Sequence, residues 1–169
     1  IIKIMKKLLS IFAIALSTLS CTQAQQTEFK EEALSNTMKS VENKDITFQE
    51  ILKKYEGKTI IIDVWASWCP DCIKGMPKVE TLQENYPDAT YLFLSVDKDY
   101  ESWLKGIEKY DVKGEHYLIA DGMKGVFGKS IKLDWIPRYM VVDKAGKIAL
   151  FKVIEADDNK LIETLEKLK

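Results

Sequence analysis

Hydrophobic and polar positions alternate with two different periods along most of the chain. Five segments are rich in β-branched and aromatic residues, which predicts β-strands: 59–66, 90–97, 116–121, 138–143 and 147–153. Five others carry apolar residues at helical spacing and predict helices: 46–58, 70–86, 100–110, 123–131 and 158–168. The strand TIIIDVWA is almost entirely apolar, which predicts burial on both of its faces. This order of elements predicts an α/β protein with a mixed central sheet and helices on both faces.

The N-terminal residues follow a different pattern. After Met5, two lysines form a basic start, and residues 8–19 form an apolar run of the length that is typical of an export signal. The run is shorter than the ~20 apolar residues of a membrane span. We therefore predict a signal peptide over residues 1–21, a polar tether over 22–45 and a folded domain over 46–169.

Two processing routes are compatible with this signal. In the first, the chain is cleaved after Ser20 and Cys21 is lipidated, although the residues before Cys21 match a lipoprotein signal only loosely. In the second, a signal peptidase cuts after Ala24. Either route leaves Cys69 and Cys72 as the free thiols of the mature chain, in a compartment where disulfides persist.

Composition and charge restrict the range of functions. The chain has 169 residues, enough for one domain and an N-terminal extension. Its formal net charge is −1, and its lysines and arginines are scattered along the sequence. Nucleic-acid binding requires a basic face, so we expect no nucleic-acid partner.

The candidate chemistry lies in WASWCPDC, which contains two of the three cysteines of the chain. A structural zinc site needs four ligands, and His116 is the single histidine. A purely structural disulfide that closes so short a loop would stabilise the fold little. Reversible redox chemistry is favoured instead, because Cys69 lies just before a predicted helix, where free N–H groups and the helix dipole lower a thiol pKa. Cys72, one turn later, is placed to resolve a mixed disulfide.

A carboxylate lies inside the most apolar strand. Asp63 interrupts the run IIIDVW, and burial there would raise its pKa and suit it to proton transfer near neutral pH. The alternative is an aspartate at a sheet edge that reaches water.

The segment IIIDVWASWCPDCIKGMP resembles the active-site segment of the thioredoxin superfamily. The later segment DWIPRYMVVDKAGKI resembles the cis-proline segment of that superfamily and the hairpin that follows it. Together the two cover roughly residues 46–169, and the exported TlpA and ResA branch is the most similar in size and signal. The resemblance implies a thioredoxin fold in which Cys69 attacks, Cys72 resolves and Asp63 accepts the proton of Cys72.

The same resemblance implies a substrate groove beside the disulfide. Pro137 would be the cis-proline that faces the disulfide and leaves the backbone of Ile136 free to pair with an extended substrate. Trp68 would shield the disulfide and form part of the docking surface. The other tryptophans of these segments, Trp65 and Trp135, are expected in the core.

The residues between the cysteines separate this sequence from its relatives. Pro70 suits the first position of a helix. Asp71 departs from the Gly-Pro of thioredoxins and from the Pro-His of DsbA-like oxidants. A negative charge there repels the Cys69 thiolate and so favours the disulfide, which predicts a reductant. The alternative is that Asp71 is solvated and merely favourable in the first helical turn.

The resemblance implies a cell-envelope thiol-disulfide oxidoreductase that reduces disulfides in exported proteins through a mixed disulfide. It would lie in the bacterial periplasm or be anchored to the membrane. The sequence has no nucleotide or flavin motif, so we expect a membrane thiol electron donor and no cofactor or metal besides the redox-active Cys69–Cys72 pair. The alternatives are a non-enzymatic binding module on the same scaffold, a disulfide oxidase or isomerase, and a thiol peroxidase.

Overall fold

The computed structural model describes residues 25–169, and a seven-stranded mixed sheet forms their centre. The strands lie in the order β2-β1-β5-β4-β3-β6-β7. Their bounds are β1 Thr37–Ser40, β2 Asp45–Thr47, β3 Ile60–Trp65, β4 Thr90–Ser95, β5 Glu115–Ile119, β6 Arg138–Val142 and β7 Ile148–Val153. β3, β4 and β5 are parallel to one another, and the remaining pairs are antiparallel. The predicted signal peptide and Cys21 lie outside the described residues.

Six helices accompany the sheet in this part of the chain. Their bounds are α1 Glu31–Leu34, α2 Phe48–Lys54, α3 Pro70–Asn85, α4 Tyr100–Lys109, α5 Val126–Ser130 and α6 Asn159–Leu168. The helix predicted over 123–131 is shorter than expected, because the Asp121 carboxylate accepts the Val126 N–H at 2.6 Å and fixes the start of α5. Within residues 25–169, none of the helices has the length and apolar character needed to cross a bilayer.

β3 is an interior strand buried on both faces, as its nearly continuous apolar sequence predicted. It lies between parallel β4 and antiparallel β6, and all six of its residues are buried. Successive side chains point to opposite faces, so Asp63 and its cross-strand partner Tyr139 share one face. Arg138 lies on the other face, where it reaches the carbonyl of Ile131 just after α5. The sheet therefore has helices on both faces, as predicted.

The prediction of a polar tether over 22–45 is wrong for most of that segment. Residues 31–34 form α1, and 37–47 form a hairpin whose first strand pairs with β5 inside the main sheet. Phe29 packs edge-on against Phe48, at 4.9 Å between ring centroids, and Met38 is fully buried. A few large apolar side chains among many polar ones are enough to fix this segment, because each fills a gap at the edge of the core. The folded domain thus includes this segment and is larger than the predicted 46–169.

We expect Phe29→Ala to lower the free energy of unfolding by about 2–4 kcal/mol, because it removes a buried ring from the core. Denaturant titration of the oxidised protein measures this loss. Glu32→Ala changes an exposed side chain of α1 in the same segment and should shift the free energy by less than about 0.5 kcal/mol. Equal, negligible effects of the two substitutions would restore the tether interpretation.

Candidate active site

The two cysteines of the motif lie where β3 passes into α3. β3 ends at Trp65, a short turn follows, and Cys69 is the N-cap residue of α3. The sulfurs of Cys69 and Cys72 are joined in a disulfide. The backbone N–H of Cys72 donates to Cys69 Sγ at 3.1 Å, so the sulfur takes the position of a capping acceptor. Cys69 is 4% exposed and Cys72 is 1% exposed, which leaves Cys69 the slightly more accessible sulfur.

The loop before β6 brings a second segment to the disulfide. The Ile136–Pro137 peptide bond is cis, as the resemblance implied. The carbonyl oxygen of Ile136 lies 3.7 Å from Cys69 Sγ. The structure therefore brings together Cys69, Ile136 and Pro137, which lie far apart in the sequence.

The remaining motif residues differ sharply in exposure. Trp68, Pro70 and Asp71 are exposed beside the disulfide, as a docking surface and a solvated first helical turn require. Trp65 is completely buried, as predicted. The prediction that Trp135 belongs to the core is wrong, because 54% of its surface is exposed. Trp135 lies in the α5–β6 loop, and its segment has too little periodicity to reveal its exposure.

Asp63 is buried in the middle of the sheet rather than at an edge. It is 3% exposed, and neither of its carboxylate oxygens has a hydrogen-bond partner among the described residues. Burial raises the pKa of Asp63 to about 7, and the neighbouring Tyr139 hydroxyl has a smaller effect in the opposite direction. A carboxyl group with this pKa can take up or release a proton near neutral pH.

The contacts of Tyr139 show that Asp63 lies beneath α3. Tyr139 is opposite Asp63 in the β3–β6 ladder. A Cβ on Gly75 of α3 would lie 3.8 Å from the Tyr139 hydroxyl, so this face of the sheet meets that part of the helix. Cys72 is three residues before Gly75 and lies on the same helical face. The buried acid and the buried cysteine therefore both belong to the layer between the sheet and α3.

A polar cluster that the sequence interpretation missed holds the turn before Cys69. Asp97 is 3% exposed and accepts three hydrogen bonds: from Ser67 N–H at 2.9 Å, from Ser67 Oγ at 2.7 Å and from Ser95 Oγ at 2.7 Å. Gly106 of α4 leaves room for this turn, since a Cβ there would lie 2.3 Å from Ser67 Cβ. The sequence could have revealed this cluster, because Ser67 and Asp97 lie just beyond the carboxyl ends of two neighbouring parallel strands.

The described residues form no metal-binding site. In the range 25–169, no group of three or more His, Cys, Asp or Glu side chains is arranged to hold an ion. His116 is stacked on Phe93, with its Nε2 2.8 Å from the Val112 carbonyl, and burial lowers its pKa. Among the described residues, the candidate reactive groups of this site are the two sulfurs and the carboxyl group of Asp63.

Comparison with known proteins agrees with this arrangement. The family model described as Redoxin matches residues 18–166. The thiol-disulfide oxidoreductase ResA of Bacillus thuringiensis is 26% identical over 149 residues, which are 87% of this chain and 82% of that protein. The sporulation thiol-disulfide oxidoreductase A of Bacillus subtilis is 24% identical over 153 residues, with coverages of 88% and 90%. A Haemophilus influenzae protein is 29% identical over 114 residues, and the match spans 65% of its length.

Solved structures show the same fold. The thioredoxin domain of a thiol-disulfide oxidoreductase from Bacteroides vulgatus superposes with a TM-score of 0.64 at 25% identity, covering 79% of this chain and 92% of that one. The fold and the dithiol site define the class as TlpA/ResA-like thiol-disulfide oxidoreductases of the thioredoxin superfamily. The chain belongs to the Redoxin family.

The raised pKa of Asp63 predicts a specific pH dependence of stability. The unfolded pKa is about 3.9, so between that value and about 7 the folded state binds the proton more tightly. The unfolding free energy of the wild type should therefore fall by about 4 kcal/mol as pH rises through this range and level off above it. Asp63→Asn stays neutral and should not lose this stability.

Denaturant titrations of the two oxidised proteins at pH 4 to 8 test this expectation. The advantage of Asp63→Asn should grow with pH up to about 7 and then stay constant. His116 titrates in both proteins, and the pKa of Tyr139 is raised far above this range, so neither changes the difference between them. If the difference in unfolding free energy between the two proteins does not vary with pH, Asp63 is ionised in the folded state over the whole pH range.

Proposed function

We propose that this oxidoreductase reduces disulfides in exported proteins through a mixed disulfide on Cys69. The observation that carries the proposal is the position of Cys69 Sγ, which accepts the Cys72 N–H at the start of α3 and lies beside the Ile136 carbonyl. An N–H donor and the positive end of a helix stabilise a thiolate on this sulfur. The neighbouring backbone offers a place for an extended target strand.

In the first step, the Cys69 thiolate attacks one sulfur of the target disulfide. A bond forms between Cys69 and that sulfur, and the other target sulfur leaves as a thiolate. In the second step, the Cys72 sulfur attacks Cys69 Sγ, which closes the Cys69–Cys72 disulfide and releases the second target thiol. The target gains two electrons and the protein loses two, so the cycle requires a dithiol donor; we assign this role to a membrane thiol carrier.

Asp63 is the proposed proton acceptor of the second step. Cys72 is buried and is a nucleophile only after it loses its proton. The carboxyl group of Asp63 lies beneath the same face of α3, and its pKa of about 7 matches the task at neutral pH. Neither carboxylate oxygen of Asp63 has a hydrogen-bond partner within residues 25–169, so both are available to accept the proton of Cys72.

Asp71 supports the reducing direction. Its exposed carboxylate in the first turn of α3 repels a Cys69 thiolate and competes for the same helix dipole. A less stable thiolate favours the disulfide, so the dithiol gives up its electrons more readily. Because Asp71 is exposed, water and salt screen the effect, and we expect it to be modest.

The basic and apolar start of the chain supports export, with anchoring through Cys21 as one of the two processing routes. An extracytoplasmic location would supply the substrates, since disulfides persist there. Mass spectrometry of the membrane fraction would detect a diacylglycerol group on Cys21.

Cys72→Ser should trap target proteins. The serine cannot resolve the mixed disulfide, so most of the reacted Cys69 should remain bonded to a partner cysteine. Non-reducing electrophoresis with mass spectrometry identifies the bonded residue. Cys69→Ser is the matched control and should trap none. Equal trapping by the two variants would show that Cys69 is not the attacking thiol.

Asp71→Asn should lower the Cys69 pKa by about half a unit and raise the reduction potential by about 15 mV. Equilibration with defined thiol buffers gives the potential. The wild-type value should lie near the ~−270 mV of thioredoxin or below it. A value near the ~−120 mV of DsbA would identify an oxidant, and an unchanged pKa in Asp71→Asn would remove the electrostatic role of Asp71.

A further inference from the structure

A buried hydroxyl group lies beside the buried carboxyl group of Asp63. Asp63 of β3 and Tyr139 of β6 are cross-strand partners on the same face of the sheet, and both side chains are almost completely buried. Within residues 25–169 neither oxygen of the carboxyl group accepts a hydrogen bond. A carboxylate can only accept hydrogen bonds, whereas a phenolic hydroxyl can donate one. The acid therefore has a potential donor next to it that it does not use in the oxidised protein.

The Tyr139 hydroxyl lies in the layer between the sheet and α3. A Cβ added to Gly75 of α3 would lie 3.8 Å from the hydroxyl oxygen, which is an ordinary van der Waals contact. Cys72 is three residues before Gly75, so the hydroxyl lies beneath the part of the helix that carries the buried thiol. Glycine is disfavoured inside a helix, and here its missing side chain leaves space over the hydroxyl.

The acid and the hydroxyl already influence each other. Burial raises the pKa of Asp63 to about 7, and the Tyr139 hydroxyl acts in the opposite direction. Burial also raises the pKa of Tyr139 well above its usual value, and the negative charge of Asp63 adds to this effect. Tyr139 therefore keeps its proton at neutral pH, and towards a carboxylate it acts as a donor.

The other charged groups that face Tyr139 come from the segment after β7 and from α3. Glu155 and Asp157 both act on the Tyr139 hydroxyl. Each is paired with Lys78 of α3, at 2.7 Å and 3.0 Å respectively. These three side chains are exposed and partly neutralise one another. A substitution that removes only the hydroxyl leaves them in place, so they contribute equally to the wild type and to such a variant.

The strands on the other side of Asp63 add one titratable group. β4 places the uncharged ring of Phe93 next to Asp63. The following strand, β5, carries His116, which is stacked on Phe93. Burial lowers the pKa of His116, so it stays neutral at and above pH 7. The Tyr139 hydroxyl is thus the neighbour that can respond to ionisation of Asp63.

We propose that Tyr139 is a positioning residue for the second step, whose hydroxyl donates a hydrogen bond to the Asp63 carboxylate and holds it in place to receive the proton of Cys72. A buried carboxylate without a donor is strongly unfavourable, so ionisation of Asp63 favours this bond. When the Cys72 sulfur bonds to Cys69 Sγ, its proton moves to Asp63 and the target sulfur leaves as a thiolate. This inference rests on the proposed function and adds the residue that keeps the proton acceptor ionised.

The test follows the second step separately from the first. Reduced protein, in excess, is mixed with a nitrobenzoate disulfide, which releases one coloured thiolate in each step. The rate of the first release depends on protein concentration and the rate of the second does not, so stopped-flow absorbance separates them. In the wild type, the second rate should rise with pH, with a midpoint near pH 7 where Asp63 ionises.

Tyr139→Phe removes the hydroxyl and keeps the ring. The loss of one hydrogen bond to a charged group should move the midpoint up by about one pH unit, which slows the second release about fivefold at pH 7. At pH 9 the rates of the variant and the wild type should converge. Tyr91→Phe is the matched control, because the buried Tyr91 hydroxyl donates to the carbonyls of Leu82 and Tyr86 at the far end of α3. This control should keep the wild-type midpoint.

Two results would overturn this inference alone. Tyr139→Phe could keep the wild-type midpoint, or it could slow the second release by the same factor at every pH, which would show a purely structural role. Asp63→Asn should abolish the rise near pH 7. If that rise persists in Asp63→Asn, the proton acceptor is not Asp63, and its proposed role fails together with this inference. A wild type that releases no second thiolate would overturn the reductase proposal itself, and no variant is needed to see that outcome.

Discussion

The chemistry of this molecule depends on the capping of α3 by a sulfur atom. A helix N-terminus presents N–H groups without partners, and here Cys69 Sγ accepts one of them from Cys72 at 3.1 Å. In the proposed mechanism, the same contact that starts the helix stabilises negative charge on the attacking sulfur. Much of the surrounding structure serves this geometry. β3 delivers the chain to the helix start, and Asp97 and Ser67 fix the turn between them.

The proposed mechanism also requires a proton acceptor, and the candidate is Asp63, a buried carboxyl group that the fold holds at a cost in stability. Asp63 has no hydrogen-bond partner in the described part of the chain and lies in the central strand, where burial raises its pKa to about 7. A neutral or apolar side chain would suit this position better for stability alone. In the proposed mechanism, stability is given up where a buried cysteine has to be activated.

Short-range patterns predicted most of the fold. The uniform apolarity of β3, the helical spacing of α4 and α6 and the Cys-x-x-Cys at a helix start gave the sheet, the helices and the sulfur pair. Long-range contacts could not be predicted in this way. Phe29 and Met38 lie in a polar segment and acquire their role only by reaching α2 and β5. Asp97 acquires its role only through the hydrogen bonds that Ser67 donates to it from a distant part of the sequence. Trp135 is exposed because it lies in the α5–β6 loop.

The most direct test of the central claim is the pH dependence of alkylation at each cysteine of the reduced protein, measured by peptide mass spectrometry. Because α3 is capped by Cys69 Sγ, this thiol should have a pKa below the ordinary ~8.5, and Cys72 should react only at higher pH. A Cys69 pKa at or above ~8.5, or faster alkylation of Cys72, would contradict the account. The helix N-terminus would then not be what makes Cys69 the attacking sulfur.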